Sequence, residues 1–228
     1  MAIYVTSDAH GHVRALDEAL SKISLTSDDT LYVLGDMIDR GPDPVGVINL
    51  VRSLPNARVL KGNHEQIMLD AIIGQDPLDA ETWDINGGWT TRQQLNEMEF
   101  EAYEELVRWA AALPLYAVAE TAERPYLLVH AGIQAEAARA FLLEHGVDCC
   151  DGRGAVDADS ELLQQMLAVQ SSDDLLWIRH GYWDAPTGLL SAEGKGPVVV
   201  SGHTPTVSLG RYCEVGGLAG LDEESGRG

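Results

Sequence analysis

Cysteine is scarce in this 228-residue chain: there are three, Cys149 and Cys150 are adjacent, and no pair has CxxC spacing. An odd number so placed excludes a disulfide framework and a thiolate zinc site, and the three read as buried or unused thiols. Positive charge is also scarce. Fifteen basic residues, of which only Lys22, Lys61 and Lys195 are lysine, face 36 acidic ones, for a formal net charge of -21. Such a field repels nucleic acid and anionic membranes, so neither is expected as a partner. Phosphorylated ligands are repelled at distance too, and their site must supply concentrated positive charge from arginines, metal ions or both. No run approaches the ~20 apolar residues of a membrane span. The N-terminal MAIYVTSDAH lacks the basic segment, apolar core and cleavage site of a secretory leader, and a cytoplasmic location is expected. Internal repeats, low-complexity tracts and clear linkers are missing as well.

Apolar residues, by contrast, make up 45% of the chain. That is enough to bury a substantial core, and one domain over residues 1–228 is expected. Short β-rich runs alternate with helical patterns: AIYVTS, VRALDEALSKI, TLYVLG, PVGVINLVRSL, ARVLKG and EQIMLDAIIG follow one another from residue 2 to residue 74. The alternation predicts βαβ units and an open, parallel or mixed sheet, an α/β fold. A second β segment reads LYAVAE, PYLLVHAG, LLWIRHG, PVVVSGH and SLGRYCEVG. Between the two halves, residues 76–113 form an insertion that ends in a helix, FEAYEELVRWAAAL, and residues 134–174 read as two helices around DCCDGRGAVDADS. The tail after Gly217 has too few apolar residues for a strand.

Polar residues gather where the β-runs end. The first run ends in Ser7-Asp8-Ala9-His10-Gly11, the second in Gly35-Asp36 and onward through Asp39 to Arg40, the third in Gly62-Asn63-His64-Glu65. YLLVHAG ends in His130 and VVVSGHT in His203. In open α/β sheets ligands bind outside the carboxyl ends of the strands, so five apolar runs that each finish in Asp, Asn or His beside glycine predict one site.

Asp8, His10, Asp36, Asn63, His130 and His203 offer oxygen and imidazole nitrogen without thiolate, a mixture suited to Mn, Fe or Zn more than Ca. Six donors are too many for one catalytic ion with open positions. They fit two divalent ions about 3.5–4 Å apart with one carboxylate, Asp36, between them. A water shared by such ions has its pKa lowered toward neutrality and becomes the nucleophile of an in-line displacement at phosphorus. His64, next to Asn63, is placed to donate a proton to the leaving oxygen, with Asp39 orienting its imidazole. Arg40 is placed to hold phosphate oxygens bidentately, with Arg179 of LLWIRHG, read as a strand end, completing the clamp. Asn63 also has an alternative as the cap of a helix, with Gln66 in the capping-box position. His12, His145 and His180 read as surface or packing residues, His12 lying beside the first motif.

Together DxHG (Asp8–Gly11), GDxxDRG (Gly35–Gly41), GNHE (Gly62–Glu65), HAG (His130–Gly132) and GHT (Gly202–Thr204) resemble the metal-dependent PPP-type serine/threonine phosphatases, in particular their small bacterial and phage members of the lambda type. NGGWTT (Asn86–Thr91) and LLWIR extend the likeness. The resemblance implies a calcineurin-like αββα sandwich with a dimetal site at the C-terminal ends of the strands. By motif it assigns Asp8 and His10 to one ion, Asp36 as the bridge, and Asn63, His130 and His203 to the other. It assigns His64 with Asp39 as the general acid pair and Arg40 and Arg179, with Asn63, to the phosphate, with Mn2+ as the usual activator. Three departures stand out: Ala9 where a larger aliphatic residue is usual, His12 where a small residue or cysteine is common, and YCEVGG followed by no further strand, which predicts a shortened sheet edge.

Two functions follow. The first is a metal-dependent phosphoprotein phosphatase hydrolysing phosphoserine and phosphothreonine, with phosphotyrosine as an extension. The alternative is a dinucleoside polyphosphate (diadenosine tetraphosphate) hydrolase, an anhydride-cleaving branch whose bacterial members carry ARGP-like and GNHD motifs where this chain reads DRGP and GNHE.

Overall fold

In the computed structural model, residues 1–74 and 76–211 are described. The chain divides into two compact units, Met1–Leu115 and Tyr116–Gly228.

The first unit carries a parallel sheet of three strands, β1 (Ile3–Thr6), β2 (Thr30–Val33) and β3 (Ala57–Val59), in the order β1-β2-β3. The connections are α1 (Val13–Ile23) and α2 (Pro44–Ser53), so the alternation read from sequence becomes two βαβ units. Central β2 is apolar after Thr30 because both faces are covered, and Leu31, Tyr32 and Val33 are buried. Each full burial of a Leu or Val side chain contributes about 1.5–3 kcal/mol, and Leu31, Val33, Met37, Ile38, Val47, Ile48, Val51 and Met68 form one cluster. The start of α2 is set by Asp43, whose carboxylate accepts from Gly46 N–H at 2.9 Å, with Pro44 next. Beyond β3 come α3 (Asn63–Ile73), then α4 (Pro77–Ile85), α5 (Trp89–Asn96) and α6 (Phe100–Ala111) within the expected insertion. The last of these ends it as a helix, with Leu106 and Ala110 buried.

The second unit has β4 (Tyr116–Glu120) antiparallel to β5 (Pro125–Val129), and β5 parallel to β6 (Val198–Val200). Helices α7 (Ala135–Glu144) and α8 (Ser160–Ala168) take the places expected between residues 134 and 174.

Two readings of β structure need correction. LLWIRHG lies not in a strand but on α9 (Ser172–Trp177) and the turn after it. Its apolar run is too short for periodicity to separate strand from helix, and Ser171, whose hydroxyl accepts from Asp174 N–H at 3.0 Å, caps it as a helix. Arg179 therefore follows a helix rather than a strand. In SLGRYCEVG the described part belongs to a 3-10 helix, Thr206–Arg211. The remainder of that segment, with the shortened edge expected of YCEVGG and the tail after Gly217, lies outside the described residues.

Candidate active site

In the first unit the loops after β1 and β2 continue to pair beyond the sheet. Leu34 N–H donates to Thr6, Asp8 N–H to Gly35, His10 N–H to Asp36 and Gly11 N–H to Met37, at 2.8–3.1 Å. This ladder is what brings Asp8 and His10 beside Asp36. The approach is closest at Gly41, where a Cβ would lie 2.0 Å from the His10 carbonyl oxygen. At Gly62 a Cβ would lie 2.2 Å from Asp36 Oδ1, so glycine alone lets the start of α3 reach the carboxylate.

The backbone is strained where the chemistry is. Asp8, His10, Asp36, Asp39, Arg40 and His203 all have φ between +40° and +69°, and Ser24, the C-cap of α1, is the other such non-glycine among the described residues. Each costs on the order of 1–3 kcal/mol and persists only where the surroundings over-determine it.

Residues named from sequence meet in this unit. His10, Asp36 and His64 present donor atoms within 4.8 Å of one another. His10 Nδ1 donates to the Ile38 carbonyl at 2.9 Å, which directs Nε2 to within 3.6 Å of Asp36 Oδ2. That second hydrogen bond fixes the tautomer a metal ligand needs. Burial holds the His10 imidazole below its usual pKa, against the opposing pull of Asp36, so it is neutral and able to ligate. The donor set and its tautomer fit a divalent ion. Asp8 is half-buried after β1, and Asn63 is buried as the first residue of α3. The cap of α3 is Gly62 rather than Asn63, and Glu65, not Gln66, reaches back to it, accepting from Gly62 N–H at 2.8 Å.

His64 and Asp39 form the expected pair. His64 Nδ1 donates to Asp39 Oδ2 at 2.7 Å, with both side chains buried. Arg40 spans the two imidazoles: Nη1 donates to His10 Nε2 at 3.0 Å and Nη2 to His64 Nε2 at 2.8 Å. A guanidinium has only donors, so both Nε2 atoms are acceptors and both rings carry their proton on Nδ1.

In the second unit β5 and β6 run parallel in the register Leu128↔Val200, which sends His130 and His203 off the same end of the sheet. His130 Nε2 lies 3.2 Å from His203 Nδ1, both rings are buried, and Gly202 N–H donates to the His130 carbonyl at 2.8 Å. Arg179 is half-buried in the turn after α9, its carbonyl accepting from Trp183 N–H at 3.1 Å. His12, His145 and His180 are exposed, His145 stacking on Phe141 at 4.1 Å. Cys149 is half-buried and Cys150 exposed, both free thiols.

Sequence reasoning passed over three side chains. Glu65 is fully buried and accepts from Asp36 N–H (2.8 Å), Met37 N–H (2.9 Å) and Gly62 N–H (2.8 Å). Burial, then the charge of Asp36, pushes its carboxyl up to about 7, against those three hydrogen bonds. Trp83 Nε1–H donates to Asp39 Oδ1 at 3.0 Å, and Thr91 Oγ1 donates to the same oxygen at 2.6 Å while accepting from Asp39 N–H at 2.9 Å. The signals were Glu65 closing the GNHE motif and Thr91 closing NGGWTT, while Trp83 stands in no motif. Trp83→Phe keeps the buried ring but removes the donor. It is expected to lower kcat roughly tenfold, the 1.4 kcal/mol equivalent of one charge-assisted hydrogen bond, with the melting temperature within a few degrees of wild type. Unchanged kcat would show that Asp39 needs no help from the insertion.

Comparison with known proteins adds the following. The family model described as calcineurin-like phosphoesterase matches residues 1–220. Curated relatives include the symmetrical bis(5'-nucleosyl)-tetraphosphatases of Erwinia tasmaniensis, 31% identical over 136 residues, and of Proteus mirabilis, 32% identical over 139 residues. Each alignment covers 58% of this chain and 45% of the relative, so the chain spans about half the length of the curated relatives it matches. Among solved structures, a metallophosphoesterase from Sphaerobacter thermophilus is 25% identical with a TM-score of 0.41, covering 60% of this chain and 53% of that one. A protein serine/threonine phosphatase from Saccharomyces cerevisiae is 20% identical with a TM-score of 0.41, covering 59% of this chain and 39% of that one.

Proposed function

The chain belongs to the calcineurin-like phosphoesterase family, and we propose that within it this protein hydrolyses dinucleoside polyphosphates, water and a bis(5'-nucleosyl) tetraphosphate giving two nucleoside diphosphates. The observation that supports hydrolysis at phosphorus is the Asp39–His64–Arg40 chain lying against Asp36 and His10. Relatives 31–33% identical, named as tetraphosphatases, favour the anhydride over the phosphoprotein expected first from the motifs.

Asp8, His10, Asp36, Asn63, His130 and His203 are the residues that would hold two divalent ions, Mn2+ first among Mn, Fe and Zn, and when bound these supply Lewis-acid chemistry at the reacting phosphate. An ion held at His10 Nε2 would take the place that Arg40 Nη1 now has at that atom, 3.0 Å away. Arg40 is then available to phosphoryl oxygens, which its fork matches bidentately. Once Arg40 Nη2 leaves His64 Nε2, that nitrogen can carry a proton toward the leaving oxygen. Asp39, hydrogen-bonded to Nδ1–H, stabilises the imidazolium so formed.

One observation favours the second reading, a phosphoprotein phosphatase. A buried carboxylate–imidazole pair helps most where the leaving oxygen is basic, as in a serine alkoxide, and least for a phosphate leaving group. The deciding assay strips the protein with chelator, restores Mn2+, and compares diadenosine tetraphosphate with a phosphoserine peptide. Stripping is expected to abolish turnover and Mn2+ to restore it, with ADP as the product. Phosphate release from the peptide alone would transfer the assignment to the second reading, and full activity in chelator would remove both.

A further inference from the structure

We propose that the cleft at the start of α1 is a subsite for one nucleoside of the substrate. This deepens the dinucleotide reading and rests on it. A cavity of about 530 Å3 opens among His12, Val13, Arg14, Ala15, Pro42 and Asp43, all in the first unit. Its volume falls within the roughly 300–1,000 Å3 of small-molecule pockets. The cleft is lined by the continuations of the two chain segments that carry His10 and Arg40. His12 follows His10 and Gly11, Pro42 follows Arg40 and Gly41, and the two loops are joined by Asp43 N–H donating to the Gly11 carbonyl at 2.9 Å. A polyphosphate gripped by Arg40 has this cleft as its neighbour.

The lining suits a nucleoside phosphate. Val13, Ala15 and Pro42 offer apolar surface, and the exposed imidazole of His12, which makes no capping hydrogen bond to α1, offers a flat face to a base. Arg14 is exposed and makes no hydrogen bond or ion pair among the described residues. Arg52, Arg92, Arg108 and Arg153, by contrast, are paired with carboxylates. Asp43 forms no ion pair with Arg14; its Oδ1 accepts from Gly46 N–H and Gln94 Nε2, and its charge stays at the cleft's edge. The first turn of α1 has no acidic residue and no side-chain cap, so the positive end of the helix is uncompensated as well. His12 thus takes the base and Arg14 the phosphate nearest the ribose.

The test uses the full chain with Mn2+ and the variants His12→Ala, Arg14→Ala and Arg14→Lys. Steady-state kinetics are measured on diadenosine tetraphosphate and on p-nitrophenyl phosphate, which has no nucleoside, together with equilibrium binding of ADP and of inorganic phosphate. The ratio of kcat/KM for the tetraphosphate to that for p-nitrophenyl phosphate is expected to fall on the order of tenfold in each alanine variant, through KM, with Arg14→Lys recovering part of it. ADP affinity should fall in parallel. A wild type that splits the tetraphosphate while the ratio is unmoved in both alanine variants overturns the subsite alone. Inorganic phosphate binding as tightly as ADP makes the cleft an anion site and also overturns it. A wild type that hydrolyses p-nitrophenyl phosphate but neither splits the tetraphosphate nor binds ADP overturns the dinucleotide reading and the subsite with it.

Discussion

His64→Asn is expected to lower kcat by about two to four orders of magnitude, the usual contribution of a positioned acid or base, while KM moves little. The reason lies in what the substitution keeps. Asparagine can still start α3 at the second position and retain the backbone N–H that donates to Asp36 Oδ1 at 3.0 Å, so the fold around the candidate ligands survives. Lost is the imidazole whose Nδ1 donates to Asp39 at 2.7 Å and whose Nε2 accepts from the Arg40 guanidinium at 2.8 Å. Because a general acid matters in proportion to the basicity of the leaving oxygen, the loss should be larger on phenyl phosphate than on p-nitrophenyl phosphate. Asp39→Asn is expected to cost less. It leaves the imidazole in place but sets an amide N–H against one of the donors, Trp83 Nε1–H, Thr91 Oγ–H or His64 Nδ1–H, that now converge on the carboxylate. Steady-state kinetics on the two aryl phosphates decide the matter. A kcat for His64→Asn within tenfold of wild type, or equal losses on both substrates, would take the acid role away from His64.

Glu65→Ala is expected to have the largest effect on stability of any single change at this site. Its carboxylate satisfies three buried N–H groups at once, those of Asp36, Met37 and Gly62, and it thereby ties the loop after β2 to the start of α3. Each orphaned donor costs about 1–3 kcal/mol. The sum is several kcal/mol, which for a chain of this size is a drop of roughly 10 °C or more in melting temperature. Oε2 accepts two of the bonds and Oε1 the third. Glutamine can therefore keep the pair on its oxygen but turns its NH2 toward Met37 N–H, and Glu65→Gln should melt between wild type and the alanine variant. Aspartate, a methylene shorter, cannot span the three donors. Thermal melts of the three variants read this order. An alanine variant melting within about 2 °C of wild type would show that water replaces the carboxylate at these donors.

The hold of the insertion on Asp39 is not legible in the sequence, and the reason is the distance over which it acts. Trp83 and Thr91 hold Asp39 across 44 and 52 positions. Nothing local in a Trp or a Thr announces a carboxylate that far away. LLWIR failed differently: six residues of helix are too few to show a period, and the decisive feature was the Ser171 cap just upstream.

What the amino-acid order determined by itself is the set of strand ends that carry chemistry. An apolar run that stops at Asp, Asn or His beside glycine is a local event, written within a few residues, and Asp8, His10, Asp36, Asn63, His64, His130 and His203 could all be named from it. Tertiary structure alone decided how those groups are aimed. The left-handed backbone at Asp8, His10, Asp36, Asp39, Arg40 and His203, the three N–H bonds to Glu65 and the Ile38 carbonyl that selects the His10 tautomer all depend on contacts between distant segments. A strained φ costs the isolated chain energy and is populated only when packing and hydrogen bonds from elsewhere offset that cost.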